Sequence, residues 1–596
     1  KDKYRDTFSS PEKFNDAYYH PEPFQRKKWR EAIQKELDTM ESNKVFRIID
    51  SNRVPPGRKT IKHRWVCEVT RNGTFRACGY SQIPGVDYTE IYSPVLHDST
   101  MRLLIALSII KEYTTVSLYV ERAFLLGKLP EEEKVYMETP QGIKASSNKC
   151  VVLDKALYGL TQAARTFFLT WTEALGKIDF KQSESDPCLY VRDNENGKVY
   201  IGLYVDDAYM VGDPKAVFKA KEDIRKIFPI KEENLSHYLS CEIQFNEPRT
   251  MAWIGQPHLV KKLQQFFTEE VKNQRSPNTP GTPSFRITRP GPDDPVIDAT
   301  QQKRYRSGVG MLLYLVKHSR PDIANAVREL SKSLDRSTPA AYKEMLRVVK
   351  YVLDTPTLGL KIFPQGDFQK KLWKLLVLSD ADWAGDPDNR VSVTGYIIYL
   401  NGIPFSWKSK AQKSISLSSS ESEWYALSEA CKEVKFIVQT MISIGITVEL
   451  PVIVKCDNLG AIFTAENHGA TSRMKHVSIR TCFVKDMVKD KFIKIIFVKS
   501  AENDADVFTK NVSYEILRRF RDNFVIAKEM ISNPGVVNGQ GGYQNGHYTT
   551  PGKSTKDNAN RHKRSNGRKV KSDIMSNVAD NPADNVRGDV NKGLTI

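Results

Sequence analysis

The sequence lacks the cysteine patterns and the long apolar runs that would indicate a zinc-bound, secreted or membrane-embedded protein. Its eight cysteines are scattered, with no C-x-x-C pair and no Cys/His spacing of a metal site. We therefore expect reduced thiols in a cytosolic or nuclear protein. No apolar run approaches about 20 residues, so no membrane span is expected. Lys1–Arg5 contains neither Met nor an apolar signal region, and the chain is expected to be part of a longer protein.

The chain carries more positive than negative charge. The 596 residues include 89 Lys and Arg against 71 Asp and Glu, a formal net charge of +18. An excess of positive charge favours polyanionic partners, nucleic acids above all. The length predicts about three or four domains.

A pair of adjacent aspartates is the most informative local feature. Asp206 and Asp207 lie between two apolar, β-prone runs, Val199–Val205 and Ala208–Gly212. The pattern predicts a strand, a tight turn that carries the acids, and a returning strand. Adjacent carboxylates repel each other, and a pair of Mg²⁺ ions in a nucleotidyl-transfer site would relieve the repulsion. A solvated Asp-Asp turn is the alternative that these residues alone leave open.

Composition and periodicity divide the chain into segments. We expect a flexible N-terminal segment, an α/β region, a Pro/Thr/Ser-rich linker or loop, a helical region, a second α/β region, and a disordered basic tail too poor in large apolar residues to form a core. The predicted boundaries are 1–20, 21–274, 275–298, 299–371, 372–526 and 527–596. Helices are predicted over Pro21–Lys44, Lys303–Lys317, Asp322–Leu334, Ala340–Leu353, Ser420–Gly445 and, last, near Asp504–Asp522.

The tail carries two basic clusters, Arg561–Arg564 and Arg568–Lys571. Such clusters are typical of nucleic-acid contacts or of a nuclear localisation signal. A tail that only improves solubility is an equally good interpretation.

A series of motifs resembles, in order over Pro21–Val525, the reverse transcriptase and RNase H region of copia-type LTR-retrotransposon Pol polyproteins. The motifs are Gly79–Glu90, Ala156–Ala163, Tyr204–Asp207, Tyr305–Gly310, Arg320–Ala324, Ser379–Gly385 and Ser418–Glu423. The resemblance implies a multidomain α/β protein. Fingers and palm of a right-hand polymerase would occupy 21–274, thumb or connection 299–371, and an RNase H-like domain 372–526.

The resemblance also implies activities and partners. They are RNA-directed DNA polymerisation and cleavage of RNA in an RNA/DNA hybrid, with Mg²⁺ or Mn²⁺ as cofactor. The implied partners are an RNA template, a DNA primer, the hybrid and deoxynucleotides, without a membrane. A cytoplasmic particle or the nucleus is the expected location, and the oligomeric state stays open.

By the same resemblance, three carboxylates should bind two metal ions in the palm, and only Asp206 and Asp207 are present. Alignment on the Ala-Phe-Leu run that ends at Leu125 places the third position on Tyr119. A neutral phenol is a poor Mg²⁺ ligand, and its ring would fill the space of the ion. Glu121 lies about 6.6 Å further along the strand, too far for a two-metal site.

The predicted fingers also depart from the family. The run before Gly79 is about four residues shorter than in the family, which leaves Arg76 as the remaining candidate ligand for the triphosphate of the nucleotide. Shortening a hairpin strand shifts its pairing register. Ser240 replaces a family glycine and would be strained if φ is positive there.

Other family positions are retained. Phe124 matches the aromatic residue that excludes a ribose 2′-OH, with a core Phe as the alternative interpretation. Gln162 and Arg165 match positions near the incoming nucleotide and the template.

The second α/β region retains all four acids that the resemblance assigns to RNase H catalysis, where carboxylates around two metal ions activate water and stabilise the leaving 3′ oxygen. Asp380 ends the first strand, and Glu423 lies in the first turns of a helix. Asp457 ends a later strand, and Asp506 opens the last helix. Asp382 and Glu421 are rival acids that we interpret as flanking surface residues.

The sequence therefore predicts a reverse transcriptase–RNase H region whose polymerase site is inactivated and whose RNase H site is intact. The alternative is a non-catalytic nucleic-acid-binding relic or captured fragment of a retroelement. A third possibility is that the short finger strand is an artefact of the gene model. Sequencing the transcript would test it.

Overall fold

The computed structural model describes residues 11–68, 71–77, 82, 88, 90–233, 240–366, 372–466 and 478–532. The helices are α1 Phe14–Tyr18, α2 Pro23–Ser42, α3 Asp98–Ile110, α4 Ala163–Gly176, α5 Pro214–Arg225, α6 Pro257–Val271, α7 Ala299–His318, α8 Ala324–Leu330, α9 Pro339–Asp354, α10 Ser419–Ser443, α11 Leu459–Glu466, α12 Ser478–Lys489, α13 Tyr514–Phe524 and α14 Lys528–Ser532.

The strands alternate with these helices along the chain. They are β1 Phe46–Asp50, β2 His63–Glu68, β3 Arg71–Ala77, β4 Thr114–Val120, β5 Val135–Glu138, β6 Lys149–Leu153, β7 Lys181–Gln182, β8 Leu189–Asn194, β9 Gly197–Tyr204, β10 Asp207–Gly212, β11 Ile230–Glu233, β12 Glu242–Phe245, β13 Ala252–Gly255, β14 Leu358–Ile362, β15 Leu375–Asp382, β16 Val393–Leu400, β17 Ile403–Ala411, β18 Val452–Cys456, β19 Ile493–Phe497 and β20 Val525–Ala527.

The first long helix forms where the sequence predicts one. Pro23 opens α2, and the Glu22 carboxylate accepts hydrogen bonds from the amides of Phe24 (3.0 Å) and Gln25 (2.6 Å), which satisfies two of the free N–H groups at the helix start. Its periodic apolar residues, Trp29, Ile33, Leu37 and Met40, are buried in one core with strands of the small β1-β6-β5 sheet. The helix predicted over Pro21–Lys44 is confirmed.

Two expectations about the ends of the chain are wrong where the structure describes them. Residues 14–18 of the segment expected to be flexible form α1, and Phe14 packs against Trp65 with ring centroids 5.6 Å apart. Residues 528–532 of the expected tail form α14, whose Ile531 is buried with Trp253. In both places aromatic or aliphatic side chains provide enough apolar surface for local packing. The basic clusters of the tail lie outside the described residues.

An antiparallel sheet of six strands carries the aspartate pair. Its strand order is β11-β4-β10-β9-β8-β7, with α3, α4 and α5 packed against it. The buried side chains of β9 and β10 are almost all apolar, as expected for central strands covered by helices.

A bundle of α6, α7, α8 and α9 follows, with its own buried core. The three helices predicted between 299 and 371 are confirmed, although the second is interrupted. Residues 321–323 and 331–333 are 3-10 turns on either side of α8. Residues 275–298 have no regular secondary structure, but they are packed: Ile287 is buried, and the amide of Ser284 donates to the carbonyl of Asn511 at 3.0 Å.

The last region is built on a five-stranded sheet of order β17-β16-β15-β18-β19. Strands β15, β16 and β17 are antiparallel neighbours, whereas β18 and β19 run parallel to β15. Helix α10 packs on β15 and β16. The strands predicted to end at Asp380 and Asp457 are present as β15 and β18, and the helix predicted over Ser420–Gly445 is confirmed as α10. Strand β19 is an additional strand that the sequence reasoning missed.

Arg102 joins the three regions. From α3 it donates to the carbonyls of Phe405 (2.7 Å) and Lys317 (2.8 Å), and its guanidinium lies 4.0 Å from the ring centroid of Trp407. Burial lowers the pKa of Arg102, with the Asp98 carboxylate acting in the opposite direction. Because a buried cation without partners is costly, these contacts make the junction specific.

Two findings concern the predictions from composition. None of the described helices is long and apolar enough to cross a membrane. The cysteines within the described ranges are all free thiols.

Candidate active sites: two clusters of carboxylates

The aspartate pair lies at the tip of the β9–β10 hairpin, as the sequence predicts. Asp207 is the first residue of β10 and pairs with Tyr204 of β9. The turn residue Val205 has φ of 57°, a left-handed conformation that is unfavourable for a β-branched residue. The turn therefore holds both carboxylates at one place on the sheet at some cost in backbone strain. We call Asp206, Asp207 and the residues opposite them the hairpin site.

Tyr119 lies directly opposite Asp207. In the register of the sheet, Asp207 of β10 pairs with Tyr119 of β4, and Tyr119 pairs with Lys231 of β11. Residues paired across neighbouring strands share a face of the sheet, so an acid, a phenol and an ammonium group form one row. The position at which a third carboxylate would complete the site thus holds a half-buried tyrosine.

Glu121 does not take over this place. It follows the end of β4, where its amide donates to the carbonyl of Pro229 at 2.8 Å and the next residue, Arg122, has φ of 56°. Its carboxylate forms an ion pair with Lys231. Glu121 is therefore neutralised by a lysine at the edge of the sheet.

The surroundings of Asp207 raise the pKa of its carboxyl group. Burial, followed by repulsion from Asp206 and Glu233, raises its pKa to about 7. A carboxyl group in this state keeps its proton at neutral pH for part of the time, unless a cation replaces the proton.

The predicted nucleotide-binding residues are engaged in contacts within the protein. Gln162 is 1% exposed, and its Oε1 accepts a hydrogen bond from Gln82 Nε2 at 3.0 Å. Arg165 forms an ion pair with Glu90 (2.5 Å) and donates to the carbonyl of Tyr92 (3.0 Å). These contacts orient the first turn of α4. The roles of Gln162 and Arg165 toward a nucleotide or template stay predictions.

Phe124 and Arg76 lie in two separate elements. Phe124 is half-buried in a 3-10 turn after β4, with its ring 5.1 Å from that of Tyr158. Arg76 is opposite Arg64 in the β2–β3 hairpin, whose pairing is irregular at Glu68, and its side chain lies outside the described residues. Ser240 has φ of 56°, so the positive φ considered for this position is confirmed.

The second cluster forms where the neighbouring strands β15 and β18 end, along one edge of the five-stranded sheet. Leu378 of β15 pairs with Lys455 of the parallel β18, so Asp380 and Asp457, each two residues further on, reach the same level. Glu423 lies in the second turn of α10, which packs on β15. Asp506 completes the group, and we call these four acids the edge site.

The expectation that Asp506 opens the last helix is wrong. It lies in a separate 3-10 helix, Asp504–Phe508, and the last long helix begins only at Tyr514. The Asn503 side chain accepts from the amide of Ala505 at 3.2 Å and donates to the carbonyl of Ser379 at 3.0 Å. The turn is therefore anchored to β15, which interrupts the helical pattern.

Hydrogen bonds and an ion pair connect the acids of the edge site. The Thr509 hydroxyl donates to Asp380 Oδ2, and Lys510 Nζ lies 3.0 Å from Asp506 Oδ1. The amide of Ala381 donates to Glu423 Oε1 at 3.3 Å. Sequence reasoning missed Thr509 and Lys510. The available signal was their position, one helical turn after Asp506.

Burial and mutual repulsion shift the acidity of this cluster. Burial is the largest cause of the raised pKa values of Asp380, Glu423 and Asp506. The Asp506 carboxylate further raises the pKa of Asp380, which in turn raises that of Glu423. Burial and mutual repulsion make the charged form of these carboxyl groups unfavourable, and a bound cation would relieve the repulsion.

Three donor atoms of this region are close enough together to hold a metal ion. Oxygen atoms of Glu423 and Asp457 and the sulfur of Cys456 lie within 4.8 Å of one another. Carboxylate oxygens are the ligands that Mg²⁺ and Mn²⁺ prefer, whereas burial raises the pKa of the Cys456 thiol, so the two carboxylates and not the thiol would be the ligands.

The two rival acids are not the surface residues that the sequence suggested. Glu421 is 9% exposed and closes a capping box at the start of α10: its amide donates to Ser418 Oγ (3.2 Å), and its carboxylate accepts from the amide of Leu417 (2.7 Å). Asp382 is half-buried and forms an ion pair with Arg286. Both carboxylates are therefore engaged in structural contacts within the protein.

One family model and several curated proteins match this chain. Residues 43–271 match the family model of the reverse transcriptase (RNA-dependent DNA polymerase). The chain is 30% identical over 537 residues to the retrovirus-related Pol polyprotein from transposon TNT 1-94 of Nicotiana tabacum, covering 87% of this chain and 39% of that protein. It is 31% identical over 516 residues to the Pol polyprotein from transposon RE1 of Arabidopsis thaliana, covering 84% and 34%.

A solved structure of a foamy viral protease-reverse transcriptase in complex with double-stranded DNA is also similar. The TM-score is 0.44 at 12% identity, over 79% of this chain and 70% of that one. The chain thus spans little more than a third of the length of the curated relatives given above.

Proposed function

Because this chain contains the reverse transcriptase domain of a copia-type, retrovirus-related Pol polyprotein, we propose that it is a reverse transcriptase–RNase H region in which polymerisation is lost and hybrid cleavage is retained. Its substrate would be the RNA strand of an RNA/DNA hybrid. The template, primer and deoxynucleotides of the ancestral reaction would bind without being extended. For its location we propose a cytoplasmic particle or the nucleus.

The pairing of Asp207 with Tyr119 is the observation that carries the loss of polymerisation. A palm with two aspartates and a phenol offers one carboxylate fewer than two metal ions need. Glu121 is paired with Lys231. Among the described residues, the sheet row that contains Asp207 has no other carboxylate. Glu233, which helps to raise the pKa of Asp207, lies in a different row, opposite Ser117 of β4.

The edge site supports hybrid cleavage. Its sheet, with three antiparallel strands followed by two parallel ones and a helix between β17 and β18, has the topology that an RNase H-like domain needs to bring four acids together. Asp380, Glu423, Asp457 and Asp506 would hold the metal ions, which supply activation of water and stabilisation of the leaving 3′ oxygen when bound.

The other residues of this site would prepare the acids for that task. Thr509 orients the Asp380 carboxylate through its hydroxyl, and the Ala381 amide orients Glu423. Lys510 neutralises Asp506 and thereby limits the repulsion within the cluster. Preorganised ligands lose little free energy when the substrate and ions bind.

One assay tests both parts of the proposal. An RNA template labelled at its 5′ end is annealed to a DNA primer with a second label and incubated with the protein, Mg²⁺ and deoxynucleotides. We expect template cleavage without primer extension. Primer extension would contradict the loss of polymerisation, and an intact template would contradict the retained RNase H.

The alternative is a nucleic-acid-binding relic without catalysis. It is favoured by the +18 net charge, which persists whether or not a site is active. A gel shift with the same labelled hybrid separates the two: binding without cleavage or extension would establish the relic.

A further inference from the structure

Arg286 connects the edge site with a part of the chain outside the proposed RNase H region. It belongs to the non-helical segment between α6 and α7. Its guanidinium forms an ion pair with Asp382, lies 3.4 Å from Glu329 Oε1 and donates to the carbonyl of Thr509 at 3.4 Å. One side chain thus contacts α8, the end of β15 and the turn after Asp506.

Two of these contacts are next to the acids of the edge site. Asp382 follows Asp380 by two residues on β15, and Thr509 donates its hydroxyl to Asp380 and follows Asp506 by three residues. A guanidinium presents several donors in one fixed plane, so it can set the distance between two segments. Arg286 therefore fixes the distance between the end of β15, which carries Asp380, and the turn that carries Asp506.

Asp382 is held in its position from both sides. A Cβ atom at Gly385 would lie 2.0 Å from Asp382 Oδ2, so the glycine leaves room for the carboxylate in its present orientation. Without Arg286, Asp382 would lose its ion-pair partner, and the end of β15 would lose its link to the turn after Asp506.

The side of the contact that faces α8 is rigid. Glu329 is 1% exposed and is paired with Arg328 and, at 2.9 Å, with Lys332. Lys332 Nζ also lies 2.9 Å from Asp386 Oδ2, in the loop after β15. Buried charges in such a network are costly to separate, so Glu329, the partner of Arg286 on α8, is held in a fixed position.

We propose that Arg286 is a positioning residue for the edge site. It links the end of β15, through Asp382, to the turn after Asp506, through the Thr509 carbonyl, and so keeps Asp380 and Asp506 at the spacing that they need. The hybrid-cleaving site would then be completed by the segment that precedes α7. The inference rests on the proposed function of the edge site, but it also predicts metal affinity, which can be measured without cleavage.

The test compares Arg286→Met with the double variant Arg286→Met/Asp382→Asn in the full chain. Mn²⁺ affinity is measured by titration without nucleic acid, and hybrid cleavage is measured separately. Partners outside the ligand shell typically contribute about 10- to 100-fold, so Arg286→Met should weaken both by about that factor. The double variant has the net charge of the wild type but still lacks the bridge, so it should keep most of the loss.

Two further variants guard against a general loss of structure. Arg304→Met removes an arginine paired with Glu270 at 2.5 Å in the helical bundle and should change neither readout. Arg286→Lys keeps the charge but not the planar fork, and it should fold normally with an intermediate Mn²⁺ affinity.

The outcomes separate this inference from the proposed function. Unchanged Mn²⁺ affinity in Arg286→Met, with active wild type, would overturn the positioning role and leave the RNase H proposal intact. Weakened Mn²⁺ affinity in both variants, but no cleavage by wild type, would support the positioning role and reject the RNase H proposal. Wild-type Mn²⁺ affinity in the double variant would overturn the inference, since the loss in Arg286→Met would then come from the unpaired Asp382 charge and not from the missing bridge.

Discussion

The hairpin site and the edge site both gather carboxylates, but they do so from different numbers of segments. At the hairpin site, two acids come from one turn, and the neighbouring strand contributes Tyr119. At the edge site, β15, α10, the end of β18 and a 3-10 turn contribute one acid each. A site built on one hairpin therefore depends on the neighbouring strand for any third ligand, whereas the acids of the edge site come from four separate segments.

The two sites also differ in what surrounds the acids. Thr509, Lys510 and the Ala381 amide contact the acids of the edge site directly. At the hairpin site, the lysine in the row of Asp207 and Tyr119 is Lys231, which is paired with Glu121 instead. Raised pKa values occur in both places, so a perturbed acid alone does not distinguish a complete site from an incomplete one.

The largest effect should come from removing an acid of the edge site. Asp457→Asn should lower hybrid cleavage by more than about 100-fold, because loss of a metal ligand exceeds the effect of its outer partners. The labelled-hybrid assay measures this, with Asp490→Asn, an exposed acid after α12, as the control. Unchanged cleavage in Asp457→Asn would refute the assignment of the site.

The hairpin site should respond to restoration of its third acid. In an Asp457→Asn background, Tyr119→Asp should increase Mn²⁺ affinity by about tenfold, or about 1.4 kcal/mol. Primer extension should stay low, because the finger strand remains short. Tyr119→Phe is the matched control and should change neither quantity. Near-normal extension by Tyr119→Asp would show that the finger strand is not limiting.

The pH dependence of stability offers a smaller test at the same place. The pKa of Asp207 is raised from 3.8 to about 7, so the native state binds this proton more tightly than the unfolded chain. The resulting stabilisation is complete below the unfolded pKa and is lost as pH rises through about 7. Relative to wild type, Asp207→Asn should therefore gain free energy of unfolding as the pH rises.

The gain should be about 1–2 kcal/mol between about pH 5 and about pH 8, with allowance for solvent screening of a partly exposed group. Urea unfolding at the two pH values measures it. The exposed Asp490→Asn should show no such gain. An equal stability difference at both pH values would mean that Asp207 is not the buried, repelled acid described above.

The smallest effect concerns the backbone of the hairpin. Val205 has φ of 57°, and Val205→Gly should raise the free energy of unfolding by about 0.5–1 kcal/mol, because glycine adopts this conformation without steric strain. Gly310→Ala, at a helical glycine with open space around it, is a control in which the backbone is not strained. A destabilised Val205→Gly would locate the strain elsewhere.

Local patterns were sufficient for most elements and for both groups of acids. The apolar period of Trp29, Ile33 and Leu37 predicts α2, and the alternation around the aspartate pair predicts the β9–β10 hairpin. Alignment on Phe124 also pointed to Tyr119, which the register then places opposite Asp207. These features are readable because each depends on neighbours within a few residues or on a motif with a defined spacing.

The errors occurred where distant contacts override local pattern. The helix predicted near Asp504–Asp522 is interrupted because Asn503 and Thr509 bind to β15, more than 120 residues earlier in the chain. Glu421 is an error of another kind, because its contacts with Ser418 and Leu417 are local and the Ser-x-x-Glu spacing is itself typical of a helix cap.

The sequence by itself therefore determined which residue types are available: two aspartates without a third at the hairpin, and four acids in the second α/β region. Only the tertiary structure decided how they are held, with Glu121 paired to Lys231, Thr509 bound to Asp380 and Arg286 bridging Asp382 and Glu329. The physical reason is that secondary-structure periods arise from neighbours along the chain, whereas these contacts depend on strand order and packing between segments far apart in sequence.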